Sequence, residues 1–323
     1  MKLKGKFILV TGGAGFIGSH LVDGLISKEP ESIVIITSSS IGKIHNLVNA
    51  QNKFRKLKII KQDASNYNSM KKIIQENNFD FVFNLAVIPL PASLIKPKWT
   101  FQKNVDITMC ICEIARTDKL GKIIHFSSSE TLGTARKIPM NEYHPIYPET
   151  PYSASKAACD HLVYSYHRTF GIKVSILRPF NVYGPRQKMG KYTALIPQTI
   201  KKALDNEPIT IYGDGKQTRD YVYVTDVVKG AIAAAESENT DGEIINIASG
   251  KEITVNKVVN EVINCLGKKS EIVYKNKRQG DVARQVADIS KAERLLQFKP
   301  DMPFNKGIKI TTEWYKNNRK LWS

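Results

Sequence analysis

The chain has 323 residues, of which 42% are hydrophobic and 24% charged, and 48 lysines and arginines against 30 aspartates and glutamates give a formal net charge of +18. This composition is typical of a globular protein and excludes a disordered chain, a collagen-like repeat and a coiled coil. No stretch approaches the ~18 unbroken apolar residues of a membrane span. The apolar run after the basic N-terminus stops at Thr11, which is too short for a signal peptide. We therefore predict a cytoplasmic protein without a membrane partner.

Apolar runs with strand character alternate with helical patterns through the first half of the chain. These runs are Phe7–Val10, Ile33–Ile36, Leu57–Ile60, Phe81–Leu85, Ile123–Phe126 and Val174–Leu177. Continuous apolar runs are typical of strands buried on both faces. Helical spacing follows Gly18 and recurs in a helix that we expect to start near Asn104. The alternation predicts an α/β fold with a Rossmann-type, doubly wound parallel sheet.

Prolines and glycines become frequent after Arg178, which predicts a smaller, loop-rich C-terminal lobe. A helix at Val227–Ala235 and a strand at Ile244–Ile247 repeat the helix-then-strand order, so we assign them to the sheet. The expected division is a Rossmann domain at 1–178 plus about 220–248, and a second lobe at 179–219 and 249–323.

A glycine-rich turn joins the first strand to the first helix. Gly12, Gly15 and Gly18 have the spacing of dinucleotide-binding turns. There the first glycine allows the tight turn, the second lets backbone N–H groups reach a pyrophosphate, and the third lets helix and strand pack closely. The helix expected from Ser19 adds partial positive charge for the phosphates, and Phe16 and Ile17 of the turn are further candidate cofactor residues. The turn therefore predicts a bound dinucleotide.

The end of the second strand carries Thr37, where dinucleotide-binding folds usually have an acidic residue for the adenosine ribose. An acid would repel a 2′-phosphate, whereas Thr37, the serines after it and Lys43 would not. Hydroxyl groups equally suit the ribose of NAD. We therefore expect NAD and leave NADP open.

Tyr152 and Lys156 lie at positions i and i+4, on one face of a predicted helix. A nearby ammonium stabilises a phenolate, so we expect Lys156 to lower the pKa of Tyr152 from ~10 toward neutrality and make it a usable base. Hydroxyls and a carboxylate follow the fifth strand at Ser127–Glu130, the carboxyl edge where α/β proteins bind ligands. The scattered cysteines and histidines lack metal-ligand spacing, so we expect no metal. Basic runs are short and dispersed, so we expect no nucleic-acid partner.

These features resemble the extended short-chain dehydrogenase/reductase family, in particular its NAD-dependent nucleotide-sugar epimerase/dehydratase branch, with a UDP-glucose 4-epimerase-like pattern. The resemblance covers nearly the whole chain. It rests on Thr11–Gly18, Asn84–Ala86, Asn104–Val105, Ser127–Gly133, Tyr152–Lys156, Arg178–Arg186, Tyr212–Tyr221 and Arg278–Val282.

The resemblance implies a role for each matching residue. Tyr152 is the expected active-site base, Lys156 binds the nicotinamide ribose, and Ser128 positions the proton of the sugar C4 hydroxyl. Asp63 would contact the adenine, and the cofactor cleft would also include Ala64, Leu85, Ala86, Asn104, Ser127 and Pro179. The nucleotide-diphosphate sugar would be held by Ser129, Asn181, Tyr212, Arg219, Arg278 and Asp281, with the arginines on the phosphates. The family's usual dimer, formed through the helices after Asn104 and Tyr152, implies a homodimer.

The family's shared first step is removal of the C4 hydroxyl proton with hydride transfer to the nicotinamide, giving a 4-ketosugar. The resemblance favours a UDP-sugar 4-epimerase. A 4,6-dehydratase of the hexosamine or legionaminate type and a UDP-glucuronate decarboxylase stay open, because the pair Ser129 and Glu130 resembles the pair that these enzymes carry. Dehydratases of the dTDP-glucose type carry Asp and Glu there as acid and base. Leu132 also replaces the family's usual Tyr. A cofactor-binding sensor without chemistry would be expected to have lost Ser128, Tyr152 or Lys156, and all three are present.

Overall fold

The structure is a computed structural model that describes residues 2–38, 43–118, 120–189, 194–277 and 283–322. Its strands are β1 Phe7–Thr11, β2 Ser32–Thr37, β3 Leu57–Lys61, β4 Phe81–Asn84, β5 Lys122–Phe126, β6 Val174–Pro179, β7 Asn181–Tyr183, β8 Ile209–Tyr212, β9 Thr218–Tyr223, β10 Ile244–Ile247, β11 Glu252–Thr254 and β12 Ile272–Lys275. Its helices are α1 Phe16–Ile26, α2 Val48–Lys53, α3 Tyr67–Asn77, α4 Leu90–Ser93, α5 Pro97–Thr117, α6 Pro151–Phe170, α7 Leu195–Leu204, α8 Val224–Glu236, α9 Val255–Leu266, α10 Ser290–Leu296, α11 Phe304–Asn317 and α12 Arg319–Trp322. Short 3₁₀ turns lie at Ile44–Leu47 and Ser129–Leu132.

Seven of the described strands form one sheet, in the order β10-β6-β5-β4-β1-β2-β3, and every pair in it is parallel. Strand β1 pairs with β2 on one side and with β4 on the other, so the winding reverses at β1. Such a reversal opens the crevice in which doubly wound folds bind their ligands. The predicted Rossmann-type fold is confirmed, and the strand expected at 244–247 is the edge strand β10, paired with β6.

Helices cover both faces of the sheet, which explains why its inner strands read as unbroken apolar runs. Helices α1 and α8 pack on one face through residues such as Leu25 and Val227. Helices α3, α5 and α6 pack on the other through Met70, Ile111 and Val163. Every residue of β4 and β5 is buried as a result.

Three details differ from the sequence-based expectation, and the first is that helix α1 begins at Phe16 and not at Ser19. Helix α5 begins at Pro97 and not near Asn104, because proline is well suited to the first turn of a helix and the apolar spacing only becomes regular later. The C-terminal lobe is also more helical than expected. Helices α7, α9 and α11 pack around Ile200, Val258 and Ile308, although prolines and glycines punctuate the segments between them.

The apolar cluster of the C-terminal lobe also reaches the first helix of the sheet domain. Phe16 and Ile17 at the start of α1 pack against this cluster, which includes Tyr183 and Tyr315. The lobe also contains two small sheets, β11-β9-β7 and β12-β8. Within the described ranges, no helix has the length and apolar character needed to cross a membrane.

Candidate active site

The glycine-rich turn is so tight that only glycine fits at two of its positions. Gly12 has a φ of +71°, and a Cβ there would lie 2.9 Å from the backbone nitrogen of Ala86. A Cβ on Gly18 would lie 2.4 Å from the carbonyl oxygen of Gly12. Both values are far below van der Waals contact. The two glycines therefore let the end of β1, the start of α1 and the segment after β4 approach one another.

The start of α1 has the features of an anion site. Gly15 is the N-cap residue and offers no side-chain hydrogen bond to the first turn, which also contains no acidic residue. A Cβ on Gly15 would meet only the Gly12 carbonyl, at 3.1 Å. The uncapped N–H groups and the helix dipole suit a negatively charged group. The residues present therefore fit the pyrophosphate of a dinucleotide.

The other candidate cofactor residues lie where parallel strands end, so the structure brings them to one edge of the sheet. Thr37 ends β2, Pro179 ends β6, and the remaining candidates follow β3, β4 and β5, namely Asp63, Ala64, Leu85, Ala86 and Ser127. The backbone N–H groups of Leu85 and Ala86 donate to Thr11 Oγ1 at 3.2 and 3.1 Å, which ties the ends of β1 and β4 together.

Among the candidate cofactor residues, Asp63 and Asn104 have side-chain partners of their own. The Asp63 carboxylate accepts hydrogen bonds from Lys103 Nζ at 2.5 Å and from the Ser65 hydroxyl at 2.9 Å. The Asn104 amide is buried and bonds to both backbone groups of Ile88 and to the Ser155 hydroxyl. Asn104 thus joins the segment after β4 to helix α6, and its assigned contact with the cofactor stays a prediction.

Helix α6 presents Tyr152 and Lys156 to the end of β5. The helix starts with a capping box between Thr150 and Ser153, which fixes its first turn. The Lys156 ammonium is buried and donates to the Phe126 carbonyl oxygen at 2.5 Å. The predicted i, i+4 pair therefore lies against the serine-rich turn after β5.

The electrostatics of Tyr152 differ from the sequence-based expectation. Burial raises the pKa of Tyr152 to about 12; a hydrogen bond with Ser128 opposes this rise, and the negative charges of Glu130 and Asp160 add to it. The expectation that Lys156 brings the pKa of Tyr152 below its usual value is therefore wrong for the protein without bound ligands. Loss of hydration disfavours the phenolate more than the surrounding polar groups favour it.

The polar side chains of the turn after Ser128 differ in how deeply they are buried. Ser128 caps the 3₁₀ turn, its hydroxyl accepting from the Glu130 N–H at 3.3 Å. Ser129 is only 3% exposed, whereas Glu130 is half-buried. Leu132 is fully buried in an apolar cluster with Met140 and Phe180, so it contributes to a small core at this position.

The candidate substrate residues of the C-terminal lobe lie on its small sheets. Asn181 on β7 donates from Nδ2 to Gln285 Oε1 at 2.9 Å, and Arg219 on the neighbouring β9 donates from Nη1 to the Thr218 carbonyl at 2.9 Å. Tyr212 ends β8 and is half-buried. The last two candidates, Arg278 and Asp281, lie outside the described residues.

A buried charged cluster farther along α6 was not predicted from the sequence. Asp160 accepts hydrogen bonds from Ser127 Oγ at 2.6 Å and from Arg178 Nη2 at 3.2 Å, and His125 lies beside it. One signal was available, because Asp160 stands four residues after Lys156 and so shares its helix face. Among the described residues, no group of three or more His, Cys, Asp or Glu could hold a metal ion.

Comparison with known proteins decides the family. Residues 9–311 match the family model described as GDP-mannose 4,6 dehydratase. The chain belongs to this family. One relative is a putative UDP-glucose 4-epimerase from Methanocaldococcus jannaschii. It is 37% identical to this chain over 317 residues, which cover 97% of this chain and 99% of that protein.

Solved structures of family members share the fold over their whole length. A UDP-glucose 4-epimerase from Thermotoga maritima, crystallised with UDP-glucose, is 32% identical with a TM-score of 0.91 over 97% of this chain and 99% of that one. A dTDP-glucose 4,6-dehydratase from Streptomyces venezuelae, crystallised with NAD, is 30% identical with a TM-score of 0.91 over 98% and 99% of the two chains. The predicted membership of the extended short-chain dehydrogenase/reductase epimerases and dehydratases is confirmed.

Proposed function

We propose that this protein is an NAD-dependent enzyme that acts on a nucleotide-diphosphate sugar through a transient 4-ketosugar, and that its specific reaction is the 4-epimerisation of a UDP-sugar. The cofactor proposal is supported by the uncapped start of α1 at the glycine-rich turn and by the NAD bound in related structures. The substrate proposal is supported by the relatives crystallised with UDP-glucose and with UDP-glucuronic acid.

Tyr152 is the proposed base for the C4 hydroxyl proton. Bound NAD supplies the acceptor for the C4 hydride, which leaves the protein to handle the proton and to orient the sugar. A hydrogen bond with Ser128 favours the Tyr152 phenolate and opposes the rise in the pKa of Tyr152 that burial causes. Lys156, held by the Phe126 carbonyl, keeps an ammonium one helical turn away, where it favours the phenolate form that must be present to accept the C4 hydroxyl proton.

One observation favours the epimerase over the dehydratase. Elimination of water from the ketosugar needs an acid for the leaving hydroxyl and a base for the C5 proton. The first of the two positions after Ser128 is Ser129, a neutral and almost fully buried residue. The turn therefore offers one carboxylate, Glu130, where dehydratases of the dTDP-glucose type carry two, which speaks against that type in particular. Epimerisation requires only that the ketosugar present its other face to the returning hydride.

Glu130 supports a 4,6-dehydratase as the second candidate. Its negative charge adds to the rise in the pKa of Tyr152 that burial causes, so a carboxylate is part of the surroundings of the proposed base. The same position is compatible with a decarboxylase, and a relative from Bacillus cytotoxicus, 33% identical, is named a UDP-N-acetyl-alpha-D-glucosaminuronate decarboxylase.

Product analysis separates these reactions. Purified protein is incubated with UDP-, dTDP- and GDP-sugars, and the products are examined by mass spectrometry and NMR. Unchanged mass with inverted C4 is the expected result for a UDP-hexose. Loss of water would identify a dehydratase, loss of carbon dioxide a decarboxylase, and no turnover of any sugar would contradict the enzymatic proposal. Tyr152→Phe serves as the matched inactive control.

We also propose the placement of ligands and subunits that the family resemblance implies. NAD lies over the glycine-rich turn in the Rossmann domain of 1–178 and about 220–248, and the sugar nucleotide lies between it and the remaining lobe, near Asn181, Tyr212 and Arg219.

A homodimer forms through α5 and α6, which pack on each other and leave Tyr164 and Phe170 exposed. Sedimentation equilibrium of the protein and of Tyr164→Glu tests the dimer, which the added charge should dissociate.

A further inference from the structure

Asn181, the candidate substrate residue on β7, bonds to a buried side chain that the proposed function does not use. Its Nδ2 atom donates to Gln285 Oε1 at 2.9 Å. Gln285 is only 1% exposed, whereas Asn181 is half-buried. The two residues are 104 positions apart in the chain, so the bond joins separate segments of the C-terminal lobe. One amide of the pair is therefore enclosed by the protein, and the other is partly accessible to a ligand.

The backbone that follows Gln285 is anchored to two other segments. The Val286 carbonyl oxygen accepts from the Met140 N–H at 2.8 Å. The Ala287 N–H donates to the Asp220 carboxylate at 3.2 Å, and that carboxylate is fully buried on β9. These bonds fix the place from which the Gln285 side chain extends. The Gln285 oxygen therefore has a defined position relative to β9.

The bond determines which end of the Asn181 amide can meet a phosphate group. The NH₂ and carbonyl ends of an amide have nearly the same shape, but one donates hydrogen bonds and the other accepts them. The oxygens of an ionised diphosphate only accept, so only the NH₂ end suits them. Gln285 Oε1 takes one hydrogen of the Asn181 NH₂ group, and the group has a second hydrogen to donate. Without this acceptor, the amide is free to turn by 180° and to direct its carbonyl oxygen at the phosphate.

Asn181 shares one face of the small sheet with a second candidate substrate residue. In the pairing of β7 with β9, Asn181 is opposite Tyr221, and Arg219 lies two residues before Tyr221. Residues opposite each other, and residues two apart on one strand, lie on the same face of a sheet. This face therefore combines a guanidinium with an amide donor, and both groups suit the oxygens of a diphosphate.

We propose that Gln285 is a positioning residue for substrate binding, which acts through Asn181 by holding its NH₂ group in the orientation that a nucleotide diphosphate requires. The inference rests on the proposed function in one respect, the placement of the diphosphate at Asn181. Gln285 itself is enclosed and touches no ligand in this scheme. Its effect must therefore depend on the presence of the Asn181 amide.

The test is a double-mutant cycle with UDP as the probe, measured by calorimetric titration of the NAD-loaded protein. Gln285→Met keeps the length of the side chain but offers no oxygen to Asn181. We expect Asn181→Ala to raise the Kd for UDP about tenfold, the scale of one hydrogen bond to a charged group. Gln285→Met is expected to raise the Kd about fourfold, because the NH₂ group remains but is no longer held. In the Asn181→Ala background, the same change should raise it less than about 1.5-fold.

The cycle distinguishes a positioning role from a structural one. An unchanged Kd in Gln285→Met, or an equal rise with and without the Asn181 amide, would overturn the inference. The matched control is Arg284→Lys, which keeps the charge of the neighbouring residue but breaks its paired bonds to Glu252. We expect this control to bind UDP within about twofold of the unmodified protein. A rise as large as that of Gln285→Met would assign the effect to the segment as a whole and overturn the inference.

Kinetics provide an independent measurement with a UDP-hexose as the substrate. Gln285→Met is expected to raise KM by about the factor found for the Kd of UDP and to change kcat by less than about twofold, because the proton-transfer residues are untouched. A fall in kcat at unchanged KM would overturn the inference. Folding is checked by circular dichroism, and Gln285→Asn, whose amide is one methylene too short to reach, is the second variant. If neither variant folds, Gln285 is a structural residue and the inference is overturned.

The titration also separates this inference from the proposed function. An unchanged Kd for UDP in Asn181→Ala would contradict the placement of the diphosphate and overturn the inference with it. The expected pattern of UDP affinities in a protein that turns over no nucleotide sugar would contradict the proposed reaction and support the role of Gln285.

Discussion

The Lys156 ammonium donates a hydrogen bond to the main-chain carbonyl of Phe126, at 2.5 Å. This contact joins the second turn of α6 to the last residue of β5, one residue before the serine-rich turn. The lysine therefore fixes the distance between the Tyr152 helix and Ser128 in addition to supplying charge. The role proposed for Lys156 in catalysis is therefore both geometric and electrostatic.

Removing the phenol of Tyr152 should abolish the first hydride transfer. Tyr152→Phe keeps the ring in its half-buried position but has no oxygen to accept the C4 proton, and loss of a general base costs typically 10²–10⁴-fold. We expect at least a ~10²-fold fall in sugar-dependent NADH absorbance at 340 nm with cofactor binding unchanged. Ser128→Ala, which removes one hydrogen bond to the phenol, should be less severe. Full activity in Tyr152→Phe would exclude Tyr152 as the base.

Neutralising Glu130 distinguishes the two leading reactions. We expect Glu130→Gln to change the epimerisation rate by less than about threefold, because inversion at C4 requires no carboxylate at this position. Removing the charge should also lower the pKa of Tyr152, which shifts the pH–rate profile to lower pH. The measurement is product formation across pH 5–9 by NMR. Complete loss of turnover with dehydrated product in the parent protein would instead support the dehydratase.

Gly12 should tolerate no side chain, because two separate constraints act there. Its φ of +71° costs an L-residue about 1 kcal/mol, and an added Cβ would also lie 2.9 Å from Ala86 N. Gly171 is the matched control, since it has a φ of +68° and no heavy atom within 4 Å of its added Cβ. We expect Gly171→Ala to lower the free energy of unfolding only by the cost of its positive φ, and to bind NAD normally. Gly12→Ala should lose more stability and most of its NAD affinity, as measured by urea unfolding and fluorescence titration.

Thr37 should control the choice between NAD and NADP. It ends β2 at the position from which an acidic residue would repel a 2′-phosphate. We expect Thr37→Asp to weaken NADP binding by at least ~10-fold, about 1.4 kcal/mol, relative to its effect on NAD. Calorimetric titration with both dinucleotides provides the measurement, with Thr37→Ser as the conservative control. Equal losses for both cofactors would show that residue 37 does not face the ribose.

The free energy of unfolding should decrease as the pH falls below 6.5, because burial keeps two histidines neutral in the folded chain. Burial holds the pKa of His125 well below 6.5 in the folded chain, whereas the unfolded chain titrates near ~6.5. The unfolded state therefore binds more protons in this window, and the free energy of unfolding decreases as pH falls, by about 1.4 kcal/mol per pH unit for this group. His20, whose pKa burial lowers to about 4, adds a similar slope. The free energy of unfolding is measured by urea titration at pH 7 and pH 5, and His125→Gln should reduce the difference between the two values. An unchanged difference would show that His125 does not cause the loss of stability.

Much of the sheet domain could be predicted because its signals are local. Buried parallel strands produce unbroken apolar runs, and the glycine spacing depends on a turn of eight residues, so the seven strands and the turn follow from short windows of sequence. The position of Thr37, Leu85 and Ser127 at one edge then follows from the parallel arrangement itself.

The parts that were not predictable depend on contacts between distant segments. Burial of the Tyr152 phenol and the charges at Glu130 and Asp160 outweigh the i, i+4 pattern that predicted a lowered pKa. The helices of the C-terminal lobe were underestimated because packing around Ile200 and Val258 stabilises them despite the turn-forming residues nearby. The pairing of Asp160 with Arg178, 18 residues away on β6, is visible only after folding.

The packing of Phe16 and Ile17 against the C-terminal lobe restricts how this protein can be recombined with its relatives. The first two residues of α1 belong to the dinucleotide turn by sequence, yet their side chains complete the apolar interior of the other lobe. A chimera that exchanges the C-terminal lobe must therefore carry over residues 16 and 17 or match their shape. Substitutions that change the substrate preference of the C-terminal lobe must therefore stay compatible with the side chains of residues 16 and 17 in the cofactor turn.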